Sequence, residues 1–169
     1  MSEAIIVVEY EPKWPKVFEE LHDRVAVALG DLAVAIEHIG STSVPGLAAK
    51  PIIDMDVVAP STAHIPAVIE QLATLGYVHE GDCGIPGREA FTCPPNTPRH
   101  HLYVCARDSE EYRRHLLFRD YLRAHPEEAQ AYSALKRSSA RRFQNDRSAY
   151  TKAKTAFVEE RLRRAAKED

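Results

Sequence analysis

The chain is 169 residues long, 44% hydrophobic and 28% charged, with a formal net charge of −3. That length suits one compact domain, residues 1–169, able to bury most of its apolar surface, and the composition is that of a folded protein. The charge supplies no global basic field, which argues against duplex nucleic acid as a partner. Cys83, Cys93 and Cys105 are odd in number and form no CxxC pair, so a disulfide framework is unsupported and a reducing, cytoplasmic setting is expected. No segment approaches the ~20 apolar residues of a membrane span, so no membrane partner is expected.

Ile5 to Val8 reads as a short strand or an ordered lead-in. Pro12 then opens a helix to about Leu29, whose Trp14, Val17, Phe18, Leu21, Val25 and Leu29 form one apolar stripe. Val34 to Ile39 is a strand that enters the turn Gly40-Ser41-Thr42-Ser43, and Ile52 to Val58 is a second strand leaving the Lys50-Pro51 corner. Ile65 to Leu75 is helical and stops at Gly76. Three strands follow over Tyr77–Glu80, Glu89–Cys93 and His101–Cys105, the last two joined as a hairpin through Asn96-Thr97-Pro98. Ser109 caps a helix to about Ala124, which His125-Pro126 breaks. Two more helices run over Glu127–Phe143 and from Asp146 to about Lys167, with Asn145 as the expected cap of the second. The order defines an α+β fold: a sheet part over about residues 1–108 and a helical part over about 109–169.

The strongest chemical signal is Asp54 and Asp56 on the strand Ile52-Ile53-Asp54-Met55-Asp56-Val57-Val58. Residues two apart on a strand project to the same face, which puts the carboxylates roughly 6–7 Å apart. At an effective dielectric near 20 their repulsion is on the order of 2–3 kcal/mol, so one carboxylate keeps a proton unless a cation is bound. Carboxylate oxygens so spaced suit Mg²⁺ or Mn²⁺ that also holds substrate phosphates. The preceding turn complements them: Gly40 lets backbone N–H groups approach a phosphate, and Ser41, Thr42 and Ser43 offer hydroxyl donors. Lys50, Arg99, Lys136, Arg147, Tyr150 and Lys154 are candidates to receive a polyphosphate tail. His101, on a later strand, is a candidate metal ligand or proton shuttle. Each basic residue also has an ordinary reading as a solvated helix surface.

The stretch from Glu37 through Gly40-Ser41-Thr42-Ser43-Val44-Pro45-Gly46 and Lys50-Pro51-Ile52-Ile53-Asp54-Met55-Asp56-Val57 resembles the signature of the GrpB (UPF0157-type) family. The helical half is similar as well, in Phe118-Arg119-Asp120-Tyr121-Leu122-Arg123, in Tyr132 with Leu135-Lys136, and in Asp146-Arg147, Tyr150 and Lys154. The resemblance implies a nucleotidyltransferase-like fold, a small mixed β-sheet with flanking helices. It also implies a nucleotide or phosphorylated metabolite as ligand, Asp54 and Asp56 as metal ligands, and, because family members occur fused to dephospho-CoA kinases, a possible partner enzyme in coenzyme A synthesis. Active nucleotidyltransferases usually add a third carboxylate from a later strand. Here that strand carries His101, with Glu89 on the preceding strand as the alternative. Two other functional readings follow from the residues: a non-catalytic phosphate-binding module, and a phosphatase using Asp54 as nucleophile, which lacks the later acidic pair such an enzyme requires.

Overall fold

The computed structural model describes residues 5–168. Its first helix, α1 (Trp14–Leu29), is followed by strands β1 (Ala35–Ile39) and β2 (Ile53–Ala59), helix α2 (Ile65–Ala73) and strands β3 (Val78–Gly81), β4 (Glu89–Thr92) and β5 (His100–Ala106). Helices α3 (Glu110–Ala124), α4 (Pro126–Arg142) and α5 (Arg147–Glu168) complete the chain. The five strands form one mixed sheet in the order β1-β2-β5-β4-β3. Only β2 and β5 run parallel; β1–β2, β5–β4 and β4–β3 are antiparallel. The expected lead-in at Ile5 to Val8 is not a strand of the sheet but is tied down by one bridge between Val8 and Ala49.

Strand alternation divides the sheet into two unlike faces. Met55 and Val57 of β2 and Leu102 and Val104 of β5 join Trp14, Leu21, Val25 and Leu29 of α1 and Val68 and Leu72 of α2 in one apolar core. The opposite face presents Ile39 and Glu37 in register with Asp54 and Asp56, and these in turn beside His101 and Tyr103. Helix α3 lies over that polar face, with Tyr112 donating to Glu37 at 2.9 Å and His115 reaching Asp56. A second cluster, built from Tyr121, Leu122, Ala129, Tyr132 and Ala165, fixes α3, α4 and α5 to one another and to Val44 and Leu47 of the loop before β2.

Local chemistry accounts for the element ends. The Ser109 hydroxyl accepts from the Tyr112 N–H at the start of α3. Pro126 opens α4 at a position where its missing N–H is not needed. The cap of α5 is Asp146 rather than Asn145: its carboxylate accepts the Ala149 N–H at 3.0 Å. The glycine-serine turn forms one tight helical turn over Ser41–Ser43.

Candidate functional site

Between the polar face of the sheet and α3, α4 and α5 lies a cavity of about 450 Å³. It collects Gly40, Ser41, Thr42, Lys50, Asp54, His101, Lys136, Tyr150 and Lys154 from four separate stretches of chain, together with Arg88, Tyr103, Glu111, Arg114, His115, Phe118 and Arg119. Ser43, Asp56 and Arg147 are not on its wall.

The turn is shaped around Asp54. Gly40 has φ +73°, and a Cβ placed there would lie 2.4 Å from Asp54 Oδ2, so glycine is required both by the backbone and by the carboxylate behind it. Of the three hydroxyls, Ser43 donates to the Gly40 carbonyl at 2.5 Å and Thr42 is held by His38 Nε2 at 2.9 Å. Only Ser41 is left for the cavity, where its side chain meets the Tyr132 hydroxyl. Burial, then Arg123 and Arg119, push His38 down to about 4, which keeps the imidazole neutral beneath the turn. Arg119 donates to the His38 carbonyl at 3.1 Å and Arg123 to the Ser43 carbonyl at 3.0 Å, bracing the turn from α3.

The two aspartates share a face but not an environment. Asp54 is part-exposed, with its Oδ1 2.8 Å from His101 Nδ1. Asp56 is fully buried, with His115 Nδ1 at 2.6 Å from its Oδ2. Its Oδ1 is buried without a hydrogen-bond partner among the described residues. Burial raises the Asp56 pKa against the opposing effect of His115. Burial also opposes charge on His115, yet its bond to Asp56 and the charges of Asp56 and Glu111 lift its pKa above the ordinary histidine value. Glu111 Oε1 lies 3.1 Å from His115 Nε2, so one imidazole links the buried carboxylate to a second one on the cavity wall. The two aspartates therefore differ in environment, and desolvation is the main cause of the rise at Asp56.

The alternatives for the third carboxylate separate cleanly. His101 stands beside Asp54 in the β2–β5 register. Glu89 is in register with Val104, on the apolar face, and pairs with His79 at 3.6 Å; it therefore cannot join the aspartates. His100, one residue before the strand expected from sequence, is the buried first residue of β5, with Nε2 2.7 Å from the Tyr77 hydroxyl.

The basic candidates gather at one end. Lys50 Nζ and Lys154 Nζ lie 4.8 and 5.1 Å from the centre of the Tyr150 ring, and Lys136 Nζ lies 4.6 Å from that of Tyr132. Among the described residues none of these lysines has a carboxylate within ion-pair distance, although Lys136 is 2% exposed. Burial, then Lys154 and Lys50, hold the Lys136 amine well below the ordinary lysine value against the opposing pull of Asp54. Burial likewise lowers Lys154, and burial with Lys154 and Arg147 lowers Lys50. Arg147 thus acts on the cluster through its charge, from outside the cavity wall. Arg88, Glu111, Arg114 and His115 carried no sequence signal: they come from a loop and a charged helix, and only the register of β4 and the docking of α3 bring them to the site.

A small mixed sheet that sets a glycine-serine turn beside an aspartate-bearing strand is the architecture of nucleotidyltransferase-like proteins, and the chain has that fold. The Cid1 poly(U) polymerase, in a structure with MgGTP bound, superposes with a TM-score of 0.60 over 86% of this chain and 50% of its own, at 17% identity. More particularly, the chain belongs to the GrpB family, whose model, described as GrpB protein, matches residues 4–164. The crystal structure of conserved protein GrpB from Enterococcus faecalis is 36% identical and superposes with a TM-score of 0.86 over 96% of this chain and 98% of its own. UPF0157 protein YqkA of Bacillus subtilis is 38% identical over 90% of this chain, which spans only 44% of that relative's length. A dephospho-CoA kinase of Mycolicibacterium paratuberculosis is 28% identical over 94% of this chain, which again spans less than half of it, 45%. Among the described residues no helix is long and apolar enough to cross a membrane.

Proposed function

We propose that the cavity binds a nucleotide or a related phosphorylated metabolite together with a divalent metal, and that the bound complex undergoes nucleotidyl transfer. The observation that carries this reading is the convergence of Lys50, Lys136 and Lys154, without carboxylate partners among the described residues, on a cavity that also exposes Asp54. Uncompensated ammonium groups next to a carboxylate suit a polyanion that brings its own cation. The phosphates lie against the three lysines, Ser41 donates to one phosphate oxygen, and Tyr150 on the cavity wall borders them.

The donor set suits Mg²⁺ or Mn²⁺, which binds through one or two carboxylates with the remainder of its shell from phosphate and water. Asp54 opens to the cavity and would be the direct ligand, while Asp56, behind the wall with an unpartnered, buried Oδ1, would act on a cation there through its charge. Among the described residues no group of three or more His, Cys, Asp or Glu side chains forms a metal cluster, so the ligand's phosphates must complete the shell. A metal held there would supply charge neutralisation between the phosphates and the aspartates. His101 fixes the Asp54 carboxylate, and His115 with Glu111 fixes Asp56.

The test is thermal melting of the whole chain with nucleoside triphosphates and coenzyme A precursors, with and without Mg²⁺. A rise that needs both nucleotide and metal, absent in Asp54→Asn, is expected; no shift with any of these compounds would falsify the reading.

A second reading is favoured by His101 in the place of a third carboxylate: a binding module that holds the phosphorylated ligand without turning it over and serves a partner enzyme, in coenzyme A synthesis. Binding unaffected by chelator and no product from any nucleotide would select it.

A further inference from the structure

The cavity has a second positive pole that the lysines do not explain. Arg88 lines it over β5, with its guanidinium carbon 4.2 Å from the centre of the Tyr103 ring. Ala90 pairs with Tyr103, so Arg88, two residues earlier, falls on the same face of the sheet as Tyr103 and Asp56. Its Nε is buried and has no hydrogen-bond partner among the described residues. The other two arginines on the wall are neutralised, Arg114 by Glu159 and Arg119 by Glu37 and Asp120. Arg88 alone of the three has no carboxylate within ion-pair distance among the described residues.

Nor is its placement loose. The Arg88 N–H donates to the Ile85 carbonyl at 3.3 Å, and the preceding Gly87 carbonyl accepts from the Ser109 hydroxyl at 3.3 Å, tying the loop to the start of α3. The Tyr103 ring beneath the guanidinium holds it in place, and a guanidinium with an unpartnered N–H suits capture of an oxyanion through its fork of donors. Arg88 leads into β4 and stands over Tyr103 of β5, whereas Lys50 leads into β2 and Lys136 and Lys154 come from α4 and α5. The two positive groups therefore reach the cavity from different elements of the fold.

We infer that Arg88 and Tyr103 form a second anion subsite, which takes the carboxylate or phosphate group of a small second substrate while the polyphosphate occupies the lysine pole. Only the assignment of that molecule as the acceptor rests on the function proposed above; the subsite itself does not. The acceptor is then a compact anionic metabolite rather than the end of a neutral or cationic chain.

The experiment uses the full chain without nucleotide or metal. The Arg88 Nε–H signal, assigned by its loss in Arg88→Lys, is followed by ¹H–¹⁵N NMR during titration with inorganic phosphate and, separately, malonate, with chloride matched for ionic strength. A saturable shift with phosphate, malonate or both, preserved in Lys136→Met, is expected, and the effective anion names the acceptor's charged group. In the same titrations, signals elsewhere on the cavity wall should require at least tenfold more anion in Arg88→Lys, because an ammonium cannot reproduce the fork. No shift at concentrations well above millimolar, an equal shift with chloride, or loss of the shift in Lys136→Met would overturn the subsite. Those failures leave nucleotide and metal binding untouched, so they are distinguishable from failure of the proposed function.

Discussion

The same two central strands build both faces of the sheet, yet the faces obey opposite rules. Toward α1 and α2, Met55, Val57, Leu102 and Val104 are fully buried against apolar neighbours. Toward α3, the residues between them are Asp54, Asp56, His101 and Tyr103, and the space above is a charged cavity. Burial on the first face removes apolar surface from water and stabilises; burial on the second holds Asp56 and Lys136 where charge is disfavoured. The apolar face thus offsets the strain of a site whose groups are poised for ligand rather than for stability.

That contrast can be broken from either side. The largest expected loss of stability is on the apolar face: Leu102→Ala should lower unfolding free energy by about 2–5 kcal/mol in urea titrations, through lost burial and a cavity, without changing the affinity of the folded fraction for nucleotide. Gly40→Ala should cost about 1–3 kcal/mol, since it combines a left-handed backbone with a clash against Asp54, and it should also weaken metal-dependent ligand binding, which Leu102→Ala does not. Asp54→Asn on the polar face should change stability by less than about 1 kcal/mol, yet remove the metal-dependent rise in melting temperature.

Lys136→Met sharpens the comparison because its sign is reversed. The folded state holds this amine well below its ordinary value of 10.5, so between the two values the unfolded chain binds the proton that the folded chain releases. Stability therefore rises with pH across that window, and the destabilisation is fully present below it. Lys136→Met should raise the melting temperature at pH 7 and flatten the rise toward pH 10, while losing affinity for polyphosphate. A variant destabilised at pH 7 would mean that the amine has a native anionic partner.

How much of this was legible in the sequence follows from the range of the interactions. The Gly40-Ser41 turn, the Asp54 strand and the apolar stripe of α1 are local patterns, and each sits where its spacing places it. Alternation also put Asp54 and Asp56 on one face, but could not say that α3 would cover Asp56 with His115, 59 residues away. Glu89 shows the same limit: its strand was readable, whereas the side of the sheet it faces depends on a register set by β5. Lys136 and Lys154 were readable only as basic residues of the helical half; that neither has a carboxylate partner among the described residues is a property of helix packing. Arg88 had no pattern around it at all, since a loop arginine acquires meaning only from the ring it stacks on.

The most direct test of the central claim, that the lysines and Asp54 form one site for a polyanion and its metal, is calorimetric titration of inorganic tripolyphosphate with and without Mg²⁺ into the wild-type chain and Asp54→Asn. Binding in both proteins without metal, tightened at least tenfold by Mg²⁺ in the wild type alone, is the predicted result. Tightening of equal size in Asp54→Asn, or no binding to either protein, would contradict it.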